Sequence, residues 1–287
     1  MKVGVTAASG RLGNVILETL VDQVGSENVV GIARAPEKIS VGQIEKRRAD
    51  YLSESDFVQA FQGIDIALMI SAPTGPDDRV AMHRNIIAGA RQAGVRKILF
   101  TSVIGNGKEE DTLYGPTRAI NRQTEADVMD SGMEWVIGRN GLYLELDVEH
   151  IIKAADDGVF NNSGGDGLCC YITRPELAAA CAKLATDDAH NGKVFNLVGE
   201  SKTQAELVTL VNECCGLSVT YQAISDEAYL RKVEPARGEL VARMITGCYQ
   251  SIRVGAFDVE SDFAGAAGRP SKSVAEMVRL YCLQREE

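Results

Sequence analysis

The sequence predicts an α/β protein built on a doubly wound parallel sheet, with a smaller α+β region in its C-terminal half. Three observations support this fold class. Short apolar segments alternate with amphipathic ones through the first 140 residues, and short connections join them. A glycine-rich turn connects the first apolar segment to the first amphipathic one. Beyond about residue 141 the alternation becomes irregular, so a different architecture is expected there.

Six segments of the first 140 residues have the composition of parallel strands. Most of them are short, apolar and rich in β-branched residues, as expected for strands that are buried on both faces. The segment "IEKRRAD" is polar instead and is typical of an edge strand. The predicted strands cover residues 2–7, 28–34, 44–50, 64–71, 96–103 and 133–139.

Amphipathic segments between these strands predict helices. In the first of them, Val15, Ile16, Leu20 and Val21 share one helical face. The fourth is expected to end at Gly132. The predicted helices cover residues 12–24, 54–63, 77–95 and 115–132.

The remainder of the chain mixes several kinds of element. Residues 158–167, "GVFNNSGGDG", predict a glycine-rich loop. Residues 174–185 have a proline in their first turn, which is a good signal for the start of a helix. Residues 193–199 predict a strand that returns to the main sheet, and roughly the last 60 residues are expected to be mainly helical.

Composition and charge argue against several classes of protein. Hydrophobic residues make up 45% and charged residues 24% of the chain, as in ordinary globular proteins. The net charge of −10 argues against a nucleic-acid binder, which needs a basic face. No apolar run reaches the ~18 residues of a membrane span, and the N-terminus does not resemble a signal peptide. We therefore expect a cytoplasmic protein that binds neither nucleic acid nor membranes.

The cysteines and histidines do not form a recognisable disulfide or metal pattern. Two pairs of the seven cysteines are adjacent in sequence, and no C-x-x-C spacing occurs. We interpret them as reduced and mostly buried thiols, with a reactive thiol at Cys169 or Cys170 as the alternative. His83, His150 and His190 lie far apart, so no metal site is predicted.

The segment "VTAASGRLG", residues 5–13, lies between the first predicted strand and helix, and there it predicts a dinucleotide-binding turn. Gly10 allows the backbone to approach a pyrophosphate, and Gly13 allows the helix to pack closely on the strand. Exposed N–H groups and the helix dipole then hold the phosphates. Ala7 replaces the usual first glycine, and its methyl group fits if the backbone keeps a negative φ. The alternative is a turn that only tightens the packing.

The end of the second predicted strand indicates which nicotinamide dinucleotide binds. An NAD site has an acidic residue at this point, which accepts a hydrogen bond from the ribose 2′-hydroxyl. This chain has Arg34 there, followed by Lys38. Two cations without a carboxylate suit a 2′-phosphate, so the sequence predicts NADP(H) as the cofactor. The alternative for Arg34 is a solvated arginine at a strand end.

Several motifs occur in the order and spacing seen in NmrA-like atypical short-chain dehydrogenases/reductases. They include "VTAASGRLG", "GIARAPEK", "DSGMEWVIGRNGLY" and "GKVFNLVGE", and the resemblance covers essentially the whole chain. It implies a Rossmann-type NADP-binding domain in residues 1–140 and a mainly substrate-binding or cap region in residues 141–287. Some members of this family reduce quinones or dyes, whereas others sense NADP(H) with little or no catalysis.

The resemblance also implies roles for individual residues. It assigns the pyrophosphate to residues 7–12 and the 2′-phosphate to Arg34 and Lys38. Asp50 and Tyr51 would lie beside the adenine, and residues 139–143 would reach the nicotinamide and the substrate. Ser102 is expected to be a polar cap near the cofactor. The cofactor-binding residues implied in this way are Thr6, Ala7, Ala8, Ser9, Gly10, Arg11, Leu12, Gly13, Arg34, Lys38, Asp50, Tyr51, Ser71, Ala72, Ser102, Arg139, Asn140, Gly141 and Leu142.

The proton donor is left open by the sequence. Ordinary short-chain reductases use Tyr-x-x-x-Lys, in which the lysine lowers the pKa of the tyrosine. The nearest match is Tyr114 with Arg118, and arginine is bulkier and permanently protonated, so a packing role is the alternative for Tyr114. Family members often have Lys or His four residues before the glutamate equivalent to Glu125, where this chain has Asn121. The catalytic candidates are Asn121, Tyr143 and Tyr114.

Hydride transfer to a conjugated acceptor needs positioning and an apolar floor more than an acid or a base. Leu142, Tyr143, Leu146 and Tyr171 are the candidates for this substrate floor, with ordinary core packing as the alternative for each. We therefore predict an NADPH-dependent reductase of quinone-like or other conjugated small molecules. An NADP(H)-sensing regulator is the alternative, and a sugar-nucleotide epimerase or lyase fits less well without Tyr-x-x-x-Lys. A homodimer is compatible with the sequence, which leaves the oligomeric state open.

Overall fold

The computed structural model of the chain describes residues 1–72 and 76–286. Its strands are β1 (Val3–Val5), β2 (Val29–Ala33), β3 (Glu45–Arg48), β4 (Ile66–Ile70), β5 (Lys97–Val103), β6 (Glu134–Asn140), β7 (Leu142–Tyr143), β8 (Val159–Asn162), β9 (Cys169–Ile172), β10 (Lys193–Leu197), β11 (Ser201–Lys202) and β12 (Thr220–Ala223). Its helices are α1 (Arg11–Val24), α2 (Glu54–Ala60), α3 (Pro76–Gln92), α4 (Gly115–Met129), α5 (Leu144–Lys153), α6 (Arg174–Thr186), α7 (Gln204–Cys215), α8 (Asp226–Arg237), α9 (Glu239–Arg253), α10 (Phe263–Ala267) and α11 (Val274–Glu286).

Seven strands form one sheet in which every neighbouring pair is parallel, in the order β10-β6-β5-β4-β1-β2-β3. The chain builds outward from β1 in one direction and then from β4 in the other, which is the strand order of a Rossmann-type sheet. The predicted fold class is therefore confirmed. Between β1 and β4 the order in which the chain adds strands reverses from one side of the sheet to the other. Ligands of such sheets bind outside the carboxyl ends of the strands at this point.

Helices cover both faces of the sheet because most of its strands are apolar on both faces. On one face, Ile16 and Leu17 of α1 and Leu177 of α6 belong to one buried apolar cluster. On the other face, Phe57 of α2 and Ile86 of α3 belong to a second cluster. These two layers fix the carboxyl edge of the sheet, where the candidate site lies.

The two edges of the sheet differ in polarity and origin. Strand β3 forms one edge and exposes most of its charged residues to solvent, as its polar sequence indicated. Strand β10 forms the other edge, where it pairs with β6 in parallel, so residues 193–197 rejoin the main sheet from the C-terminal half. A polar strand is tolerated at an edge because one of its sides remains in contact with water.

The C-terminal half adds two small sheets and the remaining helices. Strands β11, β9 and β7 form one of these sheets, and β12 pairs with β8 in the other. The prediction of a glycine-rich loop over residues 158–167 is wrong for its first part, which forms β8. In β8, Phe160 and Asn162 are buried, whereas Val159 and Asn161 are less so, and this alternation is the period of a strand. The glycines that follow concealed it in the sequence.

Two properties of the chain bear on its environment. Across residues 1–72 and 76–286, no helix is long and apolar enough to cross a membrane. All seven cysteines are free thiols.

Candidate cofactor and acceptor site

The turn after β1 has an unusual backbone at Ala7. Its φ is +48°, so a negative φ, the condition under which the methyl group was expected to fit, is not met. Two backbone hydrogen bonds hold the turn: the N–H of Ala8 donates to the Ile32 carbonyl at 3.1 Å, and the N–H of Gly10 donates to the Ala7 carbonyl at 2.9 Å. Left-handed backbone costs a non-glycine residue about 1–2 kcal/mol, which these contacts offset. Alanine is tolerated in this left-handed conformation because its methyl group is the smallest side chain after the hydrogen of glycine.

The start of α1 is open to an anion. Gly10 precedes the helix, and within the described part of the chain no side chain caps it. The first N–H groups of a helix have no partner within the helix, so they are available to phosphate oxygens. Gly13 lies so close to the turn that an added Cβ would be 2.5 Å from the Ala7 carbonyl oxygen. Thr6, Ala8, Ser9, Arg11 and Leu12 complete this stretch of chain, with Thr6 and Ala8 fully buried and Arg11 exposed.

The end of β2 presents positive charge to solvent. Arg34 and Lys38 are both exposed, and neither side chain has a hydrogen-bond or ion-pair partner in the part of the chain that the structure describes. Asp50, after β3, is half-buried, and its carboxylate accepts a hydrogen bond from the N–H of Leu52 at 3.1 Å. This edge of the sheet therefore offers two free cations to a ligand.

Tyr51 and Thr6 join the ends of β1 and β4. The Tyr51 hydroxyl lies 2.8 Å from Thr6 Oγ1 and 2.9 Å from the Ile70 carbonyl oxygen, and burial raises the pKa of Tyr51. The N–H of Ile70 donates to the same Thr6 Oγ1 at 3.0 Å. These contacts make Thr6 and the Tyr51 hydroxyl a support for the switch point. The proposed contact of Tyr51 with adenine stays a prediction.

His83 is a residue of this region that the sequence reasoning missed. The N–H of Ala72 donates to His83 Nε2 at 2.9 Å, so the ring proton lies on Nδ1, which is 2.8 Å from Thr124 Oγ1. Burial and the nearby Arg79 guanidinium lower the pKa of His83 to about 3. His83 is therefore neutral and positions the backbone after β4. No spacing in the sequence could indicate this role, because the partners come from different elements.

Asn121 lies beside the same backbone. Its Oδ1 is 3.4 Å from Ser71 Oγ, and its Nδ2 donates to the Thr117 carbonyl at 2.8 Å. Asn121 is fully buried on α4. An amide in this position can orient Ser71, but it has no acidic proton to supply at neutral pH.

Glu125 binds two arginines and Ser102. Ser102 Oγ donates to Glu125 Oε1 at 2.5 Å, and Arg122 Nη1 lies 2.6 Å from the same oxygen. Arg139 makes two hydrogen bonds to the carboxylate, from Nε at 3.0 Å and from Nη2 at 2.6 Å. The side chain of Glu125 is only 4% exposed. The structure thus directs Arg139 to an internal carboxylate instead of the cavity described next.

A cavity of about 220 Å³ lies at the carboxyl ends of β4, β5 and β6. It brings together most of the residues predicted for the nicotinamide and the substrate, including Asn140 and Tyr143. Apolar side chains dominate, and Leu146 is also partly open to solvent. The lining residues are Ile70, Ser71, Thr101, Ser102, Val103, Ile104, Tyr114, Asn140, Gly141, Leu142, Tyr143, Leu146 and Cys248.

Tyr171 does not line this cavity, contrary to its predicted place in the substrate floor. It is fully buried, and its hydroxyl donates to Asp147 Oδ2 at 2.5 Å. Gln204 Nε2 donates to the Tyr171 hydroxyl at 2.6 Å, and the Tyr249 hydroxyl donates to Asp147 Oδ1 at 2.6 Å. Tyr171 therefore belongs to a polar network inside the C-terminal half. The apolar character of its neighbours in sequence gave no sign of Asp147, which is 24 residues away.

Tyr114 lines the cavity but is poorly suited to donate a proton. Burial raises the pKa of its hydroxyl well above the usual range, and its ring packs edge-on against Phe257. Arg118, in the position of the usual lysine, has its Nε 2.6 Å from the buried carboxylate of Glu109 and its Nη1 3.2 Å from Glu110. That cation is thus neutralised by carboxylates of the chain.

Asn140 and Tyr143 show how the cavity is held. Asn140 is 5% exposed, and its Oδ1 has no hydrogen-bond partner among the described residues. The Arg174 guanidinium lies 4.8 Å from the centre of the Tyr143 ring, which fixes the ring by a cation–π contact. Burial raises the pKa of the Tyr143 hydroxyl. The cavity therefore combines a rigid aromatic ring with one unused acceptor.

A second cavity of about 270 Å³ lies between α5, β8, α8 and α9. His150, Lys153, Lys232 and Arg237 give it several basic groups, and Asp157 opposes them. None of the residues predicted for the cofactor or the substrate lines it. The chemistry predicted from the sequence therefore concentrates in the smaller cavity.

The strand order and the open turn define a dinucleotide-binding protein of the Rossmann type. Residues 7–188 match the family described as NAD(P)H-binding, and the chain belongs to this family. Quinone oxidoreductase 2 of Escherichia coli (strain K12) is 32% identical over 285 residues, which are 96% of this chain and 97% of the relative. An NmrA-like family domain-containing oxidoreductase of Aspergillus flavus is 26% identical over 237 residues, 80% of this chain and 76% of that protein.

Solved structures agree with these relatives. The NADPH complex of the NADPH-dependent quinone oxidoreductase of Escherichia coli superposes with a TM-score of 0.87 at 30% identity, over 96% of this chain and 98% of that one. Triphenylmethane reductase of a Citrobacter species, solved with NADP(H), gives 0.89 at 27% identity, over 98% of this chain and 100% of the other. The resemblance to NmrA-like reductases is thus confirmed, and so is a nicotinamide dinucleotide as the cofactor.

Proposed function

We propose that the chain is an NADPH-dependent reductase that transfers hydride to a quinone-like or other conjugated small molecule. The observation that carries this proposal is the 220 Å³ cavity at the carboxyl ends of β4, β5 and β6, which Leu142, Tyr143 and Leu146 make largely apolar. Ligands of doubly wound sheets bind at this edge. The names of the relatives, a quinone oxidoreductase and a triphenylmethane reductase, support the same class of acceptor.

The residues of this chain fit NADPH at both of its ends. The uncapped start of α1 offers N–H groups to the pyrophosphate, and Gly13 lets α1 pack closely on the turn, because an added Cβ would lie 2.5 Å from the Ala7 carbonyl oxygen. Arg34 and Lys38 would bind the 2′-phosphate. Asn140 Oδ1, buried without a partner among the described residues, is an acceptor for the carboxamide of the nicotinamide. Ser71 and Ala72, held by Asn121 and His83, would line the middle of the cofactor.

Bound NADPH supplies the hydride, and the side chains of the cavity position the acceptor. Leu142 and Leu146 exclude water from one face of the acceptor, and Tyr143, fixed by Arg174, limits its orientation. Solvent supplies the proton that completes reduction, because Tyr114 holds its own proton tightly. Hydride transfer from NADPH with a proton from solvent requires no acid–base residue of the chain.

Four further predictions accompany this function. Residues 1–140 carry the cofactor and residues 141–287 mainly enclose the acceptor, although β10 joins the main sheet. The protein resides in the cytoplasm, in keeping with its seven free thiols. It acts on small molecules and not on nucleic acid, and its assembly as a homodimer is tested by its mass in solution.

Oxidation of NADPH with a panel of quinones, azo dyes and enones tests the reductase. We expect steady turnover of at least one acceptor above an empty-vector control. Leu146→Trp fills the cavity, and because small misplacements of reactants slow transfer strongly, it should lower turnover about tenfold or more while NADPH affinity is kept. Leu168→Trp is the matched control, since Leu168 is about as exposed, at 38% against 40%, and does not line the cavity.

Saturable binding of NADPH without turnover of any acceptor would contradict the reductase. It would support the second candidate, a regulator that senses NADP(H). The observation in favour of this candidate is Asn121, a buried amide without an acidic proton in the position where members of the family often have Lys or His. Such a regulator would bind a partner protein differently with NADPH and with NADP⁺.

A further inference from the structure

The C-terminal half brings three thiols together. Cys214 and Cys215 end α7, and Cys282 lies in α11, which packs against α7. The Sγ atoms of Cys215 and Cys282 are 2.9 Å apart, and the Sγ atoms of all three cysteines lie within 4.8 Å of one another. The sequence gave no indication of this group, because 67 residues separate Cys215 from Cys282.

The size of this group suits a metal ion that prefers sulfur ligands. A Zn–S bond is about 2.3 Å long, so three sulfurs on one Zn²⁺ are about 3.8–4.0 Å apart. Here the Sγ atoms of Cys215 and Cys282, at 2.9 Å, are closer than that value, and the other two separations are at most 4.8 Å. Small side-chain rotations would therefore equalise them. Thiolates select Zn²⁺ and Cu⁺ over Mg²⁺ and Ca²⁺.

The surroundings of the three thiols allow an ion to enter from solvent. Cys282 is buried, Cys215 is partly buried and Cys214 is the most exposed, so an ion can arrive from one side. Arg279 and Glu213 line a small cavity beside Cys214. Three thiolates and one divalent ion carry a net charge of −1, and because Arg279 and Glu213 have opposite charges, this charge is left to the solvent on the exposed side.

We propose that Cys214, Cys215 and Cys282 form a binding site for one thiophilic metal ion of the Zn²⁺ class. On binding, each thiol releases one proton to solvent and its sulfur forms one bond to the ion, with no change in oxidation state. Water completes the coordination on the exposed side, as at zinc sites with three protein ligands. The ion joins the ends of α7 and α11 and is independent of the proposed reductase activity.

A disulfide between Cys215 and Cys282 is the competing use of these residues. It would consume two thiols and leave Cys214 without a role, whereas a metal ion uses all three. The two possibilities differ in their requirement, since a disulfide needs an oxidant and the metal site needs the reduced chain.

Titration of the reduced full-length protein with Zn²⁺, followed by competition with a chromophoric chelator, tests the site. We expect one tightly bound ion per chain, and Co²⁺ used as a probe should give the near-ultraviolet absorption of a thiolate complex. Cys282→Ser should weaken Zn²⁺ binding about a hundredfold or more, because even loss of an outer partner costs 10–100-fold. Cys214→Ser should also weaken Zn²⁺ binding, and because Cys214 is exposed, this substitution should not destabilise the fold.

Cys181→Ala is the matched control, since Cys181 is a buried thiol of α6 outside the three-thiol group, and it should leave Zn²⁺ binding unchanged. Excess Zn²⁺ should raise the melting temperature of the wild type and of this control only. The absence of a thiolate–cobalt absorption band from the reduced wild type would overturn the proposal. So would Zn²⁺ binding of equal strength in Cys282→Ser and the wild type, or a Cys215–Cys282 disulfide in a chain that binds no metal when reduced.

Discussion

The two ends of the proposed cofactor path treat their cationic side chains in opposite ways. At the adenosine end, Arg34 and Lys38 are exposed and have no partner among the residues that the structure describes. At the nicotinamide end, Arg122 and Arg139 both bind the buried carboxylate of Glu125. The first pair is free for a ligand, whereas the second pair is already bound to a carboxylate of the protein itself.

Burial explains this difference. An exposed cation keeps its hydration, so the absence of a bound anion costs little free energy. A cation beside a buried cavity loses several kcal/mol of hydration unless a carboxylate compensates it. An arginine near a cavity is therefore a weaker indication of a ligand contact than an arginine at an open strand end. Substitutions at either end of the cofactor path test this explanation.

The largest effect is expected at Glu125. Glu125→Leu removes the carboxylate and leaves Arg122 and Arg139 without it, although their side chains are only 19% and 27% exposed. Loss of one partner of a buried ion pair typically costs 3–5 kcal/mol, so we expect the free energy of unfolding to fall by about 3 kcal/mol. Urea denaturation measures this change.

Arg84→Ala provides the control on the same helix layer. Arg84 pairs with Asp127 at the surface, with 57% of its side chain exposed, and such pairs contribute less than about 1 kcal/mol. Similar losses of stability in the two variants would mean that the Glu125 group behaves like a surface ion pair.

At the adenosine end, Arg34→Ala should weaken NADPH binding and leave the stability of the fold unchanged. A hydrogen bond between charged groups contributes about 1.5–3 kcal/mol, so the Kd for NADPH should rise about ten- to a hundredfold. The value for NADH should stay nearly constant, because NADH lacks the 2′-phosphate. Lys38→Ala should have a smaller effect in the same direction, since salt screens an exposed charge. Isothermal titration calorimetry with both nucleotides measures the asymmetry, and equal weakening of the two would remove Arg34 from the 2′-phosphate site.

The same contrast explains what the sequence could and could not predict. The glycine turn and the alternation of strands and helices follow from local patterns, because the apolar period and the turn residues act over a few neighbouring positions. The orientation of Arg139 depends on Glu125, 14 residues earlier in the chain, and that of Tyr171 depends on Asp147. Partners that meet only after folding leave no local signal. The sequence located the segment that forms the cavity and the lining residues Leu142, Tyr143 and Leu146. It did not reveal the partners that hold Arg139 and Tyr171 away from the cavity.

At the nicotinamide end, a substitution of Tyr114 tests whether the chain supplies a proton donor. A general acid contributes about 10²–10⁴-fold to a rate. Burial raises the pKa of Tyr114, and Glu109 neutralises Arg118, so the hydroxyl is not prepared for proton transfer. Tyr114→Phe should therefore lower kcat with a quinone acceptor less than about tenfold. A loss of a hundredfold or more, with NADPH binding intact, would restore the ordinary short-chain mechanism.

The smallest effect is expected for Ala7→Gly, although Ala7 is the residue that departs most clearly from the usual turn. Glycine relieves the left-handed backbone at φ +48°, which costs alanine about 1–2 kcal/mol, but it also adds about 0.5–1 kcal/mol of chain entropy to the unfolded state. The free energy of unfolding should thus rise by about 1 kcal/mol or less, and the Kd for NADPH should change less than about tenfold, because backbone N–H groups and not the methyl group bind the phosphates. Ala7→Val is the contrasting variant, since a β-branched residue at positive φ is strongly disfavoured and should cost both stability and binding. If Ala7→Gly alters NADPH affinity as much as Arg34→Ala does, the methyl group of Ala7 contacts the cofactor, and the turn does not bind it through the backbone alone.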